Sequence, residues 1–375
     1  QNTYKYRNIY LIHTRLSIQD IAQGSQPMLI GNYVIVFNGE IYNHLSLRSK
    51  VTNYKFKTQS DTETLLALFI EYGISVLNDC DGMFAFAILD KKSNKLFLGR
   101  DRAGKKPLYF YKKEKSLVFS SELNTLKIGV SDLEIDKSQI YSYIRNGFFY
   151  KDKTPYDDVF EVNPGHMYTV DLDNLSIEKR CYFNYLDYYK KDKINNFNIA
   201  LDRVDKCLHE SIKDRLLSSD LEVGAFLSGG IDSSLIVAIA SQYVNQLKTF
   251  TVKFEGVSDE SKLAKLTASK YKTDHTELSI SMNLKDDVEK ILLNYGEPFM
   301  DSSAIPSYYV SREAKKHVTV VLNGDGADEL FGGYRRYVPA ANGWLKFASN
   351  LTFLSSMLPI PYNKRSTYND LYRML

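Results

Sequence analysis

An apolar run, a serine, two glycines, an aspartate and two more serines follow one another in "AFLSGGIDSSLIVAIA", residues 225–240. A strand that ends in Ser228-Gly229-Gly230 and restarts as a helix brings backbone N–H groups and a helix N-terminus to one point, with little side chain in the way. That is an anion cradle, suited to phosphate. Ser228, Ser233 and Ser234 add hydroxyls. Asp232 has no use for a phosphate directly, but a carboxylate beside phosphate oxygens makes sense with Mg2+ between them. No Gly-x-x-x-x-Gly-Lys-Ser/Thr motif occurs in the chain. The loop therefore lacks the lysine of a γ-phosphate site. It suits a departing pyrophosphate, with attack at the α-phosphorus.

A second stretch, "VVLNGDGADELFGGY" (320–334), also leaves an apolar run, with Gly324 and Gly326 around Asp325 and then Asp328 and Glu329. Asp328 is a candidate to share Mg2+ with Asp232. Two such loops at strand ends of one parallel sheet are expected to face the same crevice, since ligands of these sheets sit beyond the carboxyl ends of the strands.

The elements that must position these loops are legible as a rhythm. From 221 to 322, strand-like runs (221–227, 248–254, 275–281, 318–322) alternate with helical ones, the pattern of a doubly wound parallel sheet. The first half reads differently. Strands are expected at 33–42, 83–90, 95–101, 107–113 and 116–122, with a helix over 62–73 that stops at Gly73, and this favours an α+β layer arrangement. The polar stretch 185–198, rich in lysine and asparagine, reads as a linker, dividing the chain into segments 1–190 and 191–375. Both ends read as cuts within a longer protein.

Composition narrows the classes. The chain has 375 residues, 44% of them hydrophobic, and a net charge of +3. So slight a charge argues for neither nucleic acid nor a membrane surface as partner, and no apolar run approaches the ~20 residues that span a bilayer. Three cysteines give neither a disulfide framework nor paired metal-ligand spacing. A reducing cytoplasm is the expected setting. Cys207, in a helix-like stretch with apolar neighbours, is expected to be packed.

The motifs resemble, in order and over essentially the whole chain, those of the glutamine-dependent asparagine synthetases of the bacterial B type. The second half carries "FLSGGIDSS", "TFTVKF", "EPFMDSSAIP" and "NGDGADELFGGYRRY"; the first carries "HTRLSIQD", "GSQPM", "FNGEIYN", "SDTE", "DGMFAFAILD", "RDRAGKKPLYF" and "FSSEL". The resemblance implies an Ntn-hydrolase-like αββα sandwich acting as a glutaminase, followed by a Rossmann-like ATP-pyrophosphatase domain. It implies that Arg15 pairs with the α-carboxylate of glutamine and that Glu40 and Asp61 hold its α-ammonium. The Asn38 side chain and the Gly39 N–H would form an oxyanion hole. "FNGE" also reads as a hairpin turn, because Asn-Gly is a favoured turn pair; the two readings are compatible. On the other side, the resemblance puts backbone groups of Phe226, Leu227, Val252 and Gly324, with Asn323 beside them, around ATP. It gives pyrophosphate and Mg2+ to Ser228, Gly229, Gly230, Asp232 and Ser233. The implied reaction adenylates the aspartate β-carboxylate, and ammonia then displaces AMP. A homodimer is compatible with this.

Two departures stand out. The family's N-terminal cysteine nucleophile is missing, since the chain starts with Gln1, and neither Cys80, Cys181 nor Cys207 can substitute. Either the numbering begins inside the protein, the reading favoured here, or the glutaminase is inactive and the chain is an ammonia-dependent or non-catalytic homologue. Where many relatives carry Ser-Gly-Glu-Gly, this chain has Asn323-Gly324-Asp325-Gly326. Asp325 then stands at the place of a catalytic glutamate, one methylene shorter, and the acceptor could be aspartate or another small carboxylic acid.

Overall fold

The structure is a computed structural model that describes residues 2–254, 261–280, 283–334 and 337–338. Of the expected features, Ser281 of the strand-like run 275–281, Arg335 and Arg336 of "NGDGADELFGGYRRY", and the end of the chain from 339 lie outside the described residues.

The first half begins with a two-stranded ribbon, β1 (Asn2–Tyr6) and β2 (Ile9–His13), then β3 (Met28–Ile30) and β4 (Tyr33–Ile41). A short helix α1 (His44–Leu47) precedes α2 (Asp61–Tyr72). The local sequence dictates α2. Ser60 caps it by accepting the Thr62 N–H, Asp61 and Glu63 sit in the first turn against the helix dipole, and Gly73 ends it at φ 59°. Strands β5 (Gly82–Asp90), β6 (Lys95–Arg100), β7 (Tyr109–Lys113) and β8 (Ser116–Ser120) follow. Then come helices α3 (Leu123–Gly129) and α4 (Lys137–Asn146) and strands β9 (Val159–Glu161), β10 (His166–Asp171) and β11 (Ile177–Cys181).

These strands form a six-stranded sheet, order β11-β10-β6-β5-β4-β3, and a three-stranded one, β8-β7-β9, antiparallel throughout. The alternation along β4 and β5 sends alternate residues to opposite faces. Ile35, Phe37, Phe84, Phe86 and Ile88 pack with Leu65, Leu68 and Phe69 of α2. Val34, Val36, Ala85, Ala87 and Leu89 pack with Phe110 of the smaller sheet and with Leu108 just before it. Beyond that sheet, Leu123 and Leu126 of α3 close a further core. The layering is α, β, β, α.

The second half opens with α5 (Tyr185–Tyr189) and the 21-residue α6 (Phe197–Leu217). The expected linker over 185–198 is thus helical at both ends. Asn196, which looked like loop composition, caps α6 through the N–H groups of Asn198 and Ile199, because asparagine favours caps as much as turns. Strand β12 (Val223–Phe226), helix α7 (Ile231–Ala240), strand β13 (Lys248–Phe254), helix α8 (Ser261–Tyr271) and strand β14 (Asp274–Ile280) alternate as expected. They are followed by α9 (Leu284–Tyr295), α10 (Ala304–Ala314), strand β15 (Val320–Leu322) and α11 (Ala327–Phe331). The sheet is parallel, order β14-β13-β12-β15. Strand order therefore reverses between β12 and β15, the switch point where such sheets place ligands.

The halves touch. The Asp220 N–H donates to the Ile18 carbonyl at 3.0 Å, Asn124 Nδ2 to the Leu293 carbonyl at 2.7 Å and Lys127 Nζ to the Gly296 carbonyl at 2.9 Å. The Arg215 guanidinium lies 4.2 Å from the centre of the Tyr42 ring. Among the described residues no helix is long and apolar enough to cross a membrane.

Candidate functional site

A cavity of about 1510 Å³ opens beside β4, and Arg15, Asn38, Gly39, Glu40 and Asp61 all line it. The five residues come from a loop after β2, from the middle of β4 and from the first turn of α2, so only the tertiary fold assembles them. Asn38 and Gly39 do not form a hairpin turn. They sit inside β4, opposite Ala85 and Phe84 of β5. Gly39 has φ 148°, and a Cβ there would collide with the Met83 carbonyl oxygen and the Phe84 Cα. The glycine serves close strand approach instead of a turn, which is the other reason a strand carries one.

Two carboxyls share this cavity with few partners. Glu40 is 8% exposed and Asp61 4%. Asp61 accepts the Ile41 N–H at 2.9 Å, while Glu40 Oε1 is buried with no hydrogen-bond partner. Burial and then the neighbouring charge of Asp61 push Glu40 up to about 7, against Lys106 and Arg215. Burial pushes Asp61 up to about 6, against the hydrogen bonds it accepts. A buried acid pair held this way is poised for a cation: an ammonium between them would restore both carboxylates.

The Arg15 guanidinium is already engaged. It donates to the carbonyls of Gln19, Asp20 (2.8 Å) and Ile21 (3.3 Å), gathering the loop after β2 around itself. That uses three of its five N–H donors and leaves two. Asp20 ties this loop to the segment before α2: one carboxylate oxygen accepts the Gln23 N–H at 3.0 Å, the other the Gln59 N–H at 2.7 Å. Arg48 and Glu63 fasten that segment from behind, through the Thr58 and Ser60 carbonyls and the Lys57 and Thr58 N–H groups. Gln26, buried, donates to Thr62 Oγ1 and accepts the Phe37 N–H, joining α2 to β4. Gln19, Gln26, His13 and Lys106 line the same cavity and were missed as site residues, although all lie within quoted motifs. Polar type alone does not say which side chain of a motif turns inward.

The second constellation is at the switch point. The Leu227 N–H donates to the Phe250 carbonyl at 2.9 Å and the Leu227 carbonyl accepts from Thr251 Oγ1, which locks the end of β12 to β13. Phe226 pairs with Phe250, and Val252 with Leu278 on the other side of β13. The loop after β12 is held from within. Ser233 Oγ accepts the Ser228 N–H at 3.0 Å and lies 2.9 Å from Ser228 Oγ, which in turn accepts the Gly230 N–H at 3.1 Å. Ser233 is buried. Its hydroxyl braces the loop, and the Ser228 and Gly230 N–H groups are held by the loop's own serines. Asp232, in the first turn of α7, is exposed.

The loop after β15 closes on it. A Cβ on Gly324 would lie 3.1 Å from Asp232 Cβ and 3.5 Å from the Ser233 nitrogen. Asn323 Nδ2 donates to Asp325 Oδ2 at 2.7 Å, orienting that exposed carboxylate. Asp328 turns toward Gly333, whose N–H donates to the Asp328 carbonyl at 3.0 Å. Among the described residues no cluster of three or more His, Cys, Asp or Glu could hold a metal ion. Of the cysteines, Cys80 is buried with its thiol pushed up to about 12 by burial. Cys181 and Cys207 are exposed, which corrects the expectation that Cys207 is packed. It lies on an open face of α6, where helical periodicity without a partner element misleads. None of the three lines the cavity.

A model of the glutamine amidotransferase domain matches residues 1–183, and a model of asparagine synthase matches residues 203–371. Asparagine synthetase [glutamine-hydrolyzing] 1 of Bacillus subtilis is 40% identical over 333 residues, covering 86% of this chain and 51% of that protein. A putative asparagine synthetase [glutamine-hydrolyzing] 2 of Methanocaldococcus jannaschii is 35% identical over 391 residues, covering 95% of this chain and 74% of that one. This chain belongs to the glutamine-hydrolysing asparagine synthetase family. Asparagine synthetase B of Escherichia coli, 32% identical, is matched over 90% of this chain and 59% of its own length. The chain thus spans about half the length of the Bacillus subtilis synthetase. The layered first half and the parallel sheet of the second are the two folds that the resemblance implied for an asparagine synthetase.

Proposed function

We propose that the chain carries both sites of an ATP-dependent, glutamine-using amide ligase. In the cavity beside β4, Arg15 holds the α-carboxylate of glutamine through a remaining guanidinium N–H. Glu40 and Asp61 hold its α-ammonium, and the Asn38 side chain and Gly39 N–H face the oxyanion formed at the amide carbon. The nucleophile is not one of the chain's three cysteines. At the switch point, backbone groups of Phe226, Leu227, Val252 and Gly324 surround ATP. The loop Ser228–Gly230 takes the leaving pyrophosphate, with Ser233 as its internal brace. An aspartate β-carboxylate oxygen attacks the α-phosphorus, pyrophosphate departs, and the acyl-adenylate forms. Ammonia attacks the acyl carbon and AMP leaves, with Asp325, steered by Asn323, beside the reacting groups. The net products are asparagine, glutamate, AMP and pyrophosphate.

A magnesium ion would take one or two carboxylates and complete its shell with water and phosphate oxygens. Asp232 and Asp328 are those carboxylates in this reading, and the metal's contribution is to neutralise charge on the leaving phosphates. Its unpaired thiols suit a cytoplasmic setting.

One observation carries the reading. Gly324 lies against Asp232, so the two acidic, glycine-punctuated loops meet between β12 and β15. Incubation with aspartate, ATP-Mg2+ and ammonium tests it without relying on the glutaminase. AMP and pyrophosphate are expected only when all are present, and ADP as product would exclude adenylation. Pyrophosphate release with another small acid but not aspartate would move the acceptor, not the chemistry.

A further inference from the structure

Helix α9 of the second half ends against helix α3 of the first. The last carbonyls of a helix lack partners within it, and its C-terminus carries a partial negative charge. Here both needs are met from the other half of the chain. Asn124 Nδ2 donates to the Leu293 carbonyl at 2.7 Å and to the Asn294 carbonyl at 3.4 Å, and Lys127 Nζ donates to the Gly296 carbonyl at 2.9 Å. Gly296 closes the helix in the left-handed conformation, at φ 76°. A Cβ there would lie 3.1 Å from Asn124 Oδ1, so the glycine also admits the capping side chain.

The segment after this cap leads to the ATP side. Glu297 still faces the first half: burial and then Glu161 push its carboxyl up to about 7, against Lys127. Residues 298–303 are exposed up to the start of α10. With little packing of their own, their course is set at their two ends. At the far end, α10 leads into β15, and Ala314 and Val318 pack with Phe250 of β13. A helix that feeds a parallel strand in this way runs antiparallel to it, so the first turn of α10 lies at the carboxyl ends of the strands, where the ligand crevice is. The cap on α9 therefore fixes one end of a segment whose other end is at the crevice.

We propose that Asn124 and Lys127 are positioning residues for the ligase site: by capping α9 they hold segment 297–303 at the rim of the crevice, so that the first half completes the second half's site whether or not glutamine is bound. The proposal rests on the reading of that crevice as the place of ATP cleavage.

Asn124→Ala, Lys127→Met and the double variant remove the cap, while Lys127→Arg keeps a cation with N–H donors beside the Gly296 carbonyl. Asp136→Ala serves as a control, since it removes a helix cap of the first half, on α4, that faces no part of the second. Pyrophosphate release is measured with aspartate, ATP-Mg2+ and ammonium, well below the melting temperature of every variant, beside calorimetric glutamine affinity. Release should fall about tenfold in the double variant and about threefold in each single one, the scale of a small displacement of groups remote from the chemistry. Lys127→Arg and Asp136→Ala should stay within twofold of the parent, and so should glutamine affinity in every variant. Release within twofold of the parent in the double variant would overturn the inference and leave the ligase reading standing. An equal fall in Asp136→Ala would make the cap merely structural, and an equal fall in glutamine affinity would place the effect in the first half; either would overturn it too. Failure of the parent itself to release pyrophosphate would bring down the ligase reading and this inference together.

Discussion

The two sites of this chain are built in opposite ways. Beside β4, the polar groups are buried and set on a strand and a helix: Glu40 and Asp61 are among the least exposed acids of the molecule, and Gly39 is pinned between strands. At the switch point, Asp232 and Asp325 are exposed, on a first helical turn and a loop. The first arrangement carries the cost of its own specificity in the free protein, as unpaired buried charge. The second carries almost none and is completed when ligand arrives. Stability and function should therefore be entangled on one side and separable on the other.

The largest contrast is between two glycine substitutions. Gly39→Ala drives a methyl into the Met83 carbonyl from a backbone conformation that alanine avoids. We expect a loss of about 4 kcal/mol or more, or no folded product, in denaturant unfolding. Gly324→Ala has its tightest contact with Asp232 Cβ at 3.1 Å and should cost about 1 kcal/mol or less. It should instead push the two loops apart and depress pyrophosphate release. Similar losses of stability from both would erase the distinction.

Asp232→Asn sharpens the separable side. If Asp232 holds the metal that neutralises the leaving phosphates, its loss should cost about 100-fold or more in pyrophosphate release. Calorimetric glutamine affinity and the unfolding midpoint should stay within error. Loss of glutamine binding in this variant would show that the sites are not independent.

On the entangled side the effect depends on pH. Glu40 and Asp61 titrate in the fold near 7 and near 6, above their ordinary values of 4.5 and 3.8. The fold thus holds their protons more tightly than the unfolded chain, and stability falls as pH rises from about 4 to about 7. An ammonium ligand needs the charged forms, so glutamine affinity should rise over the same interval, with proton release visible in buffers of different ionisation enthalpy. Glu40→Gln should flatten both trends and stabilise the free chain at pH 8 by up to about 3 kcal/mol, while binding glutamine worse. A pH-independent affinity in the parent would mean that this pair does not meet a cation.

How much of this was open to a reader of the sequence follows the same division. The switch-point loops were legible because glycine, serine and aspartate at a strand-to-helix junction have one obvious use, and alternating strands and helices imply the sheet that makes the junction. The strands and the helix quoted from the first half also appear where the patterns put them. What could not be read was direction. Asn38-Gly39 has the composition of a turn, and only the pairing with β5 shows it to be mid-strand. Ser233 has a donor's chemistry, yet the Ser228 and Gly230 carbonyls of its own loop lie within reach of its hydroxyl, at 3.3 Å each. Gln19 is buried, but no local pattern distinguishes a buried glutamine from one that faces water.

The smallest expected effect tests how sharply the two sides are divided. Asp20→Ala removes the two N–H acceptors that join the Arg15 loop to the segment before α2. These bonds are partly solvated, so the loss of stability should be about 1 kcal/mol, and glutamine affinity should fall about three- to tenfold as Arg15 loses its fixed position. The same loop is tied to the second half through Ile18 and Asp220. Asp220 is eight residues before Ser228, at most about 29 Å of chain. Measured with ammonium as nitrogen source, pyrophosphate release should not change in this variant, because β12 is held by β13 and β15 along its whole length and a loosened loop at one end of it has no second arrangement to impose on the other. A change in release would mean that β12 does transmit the state of the glutamine cavity, and the two sites would then be one device.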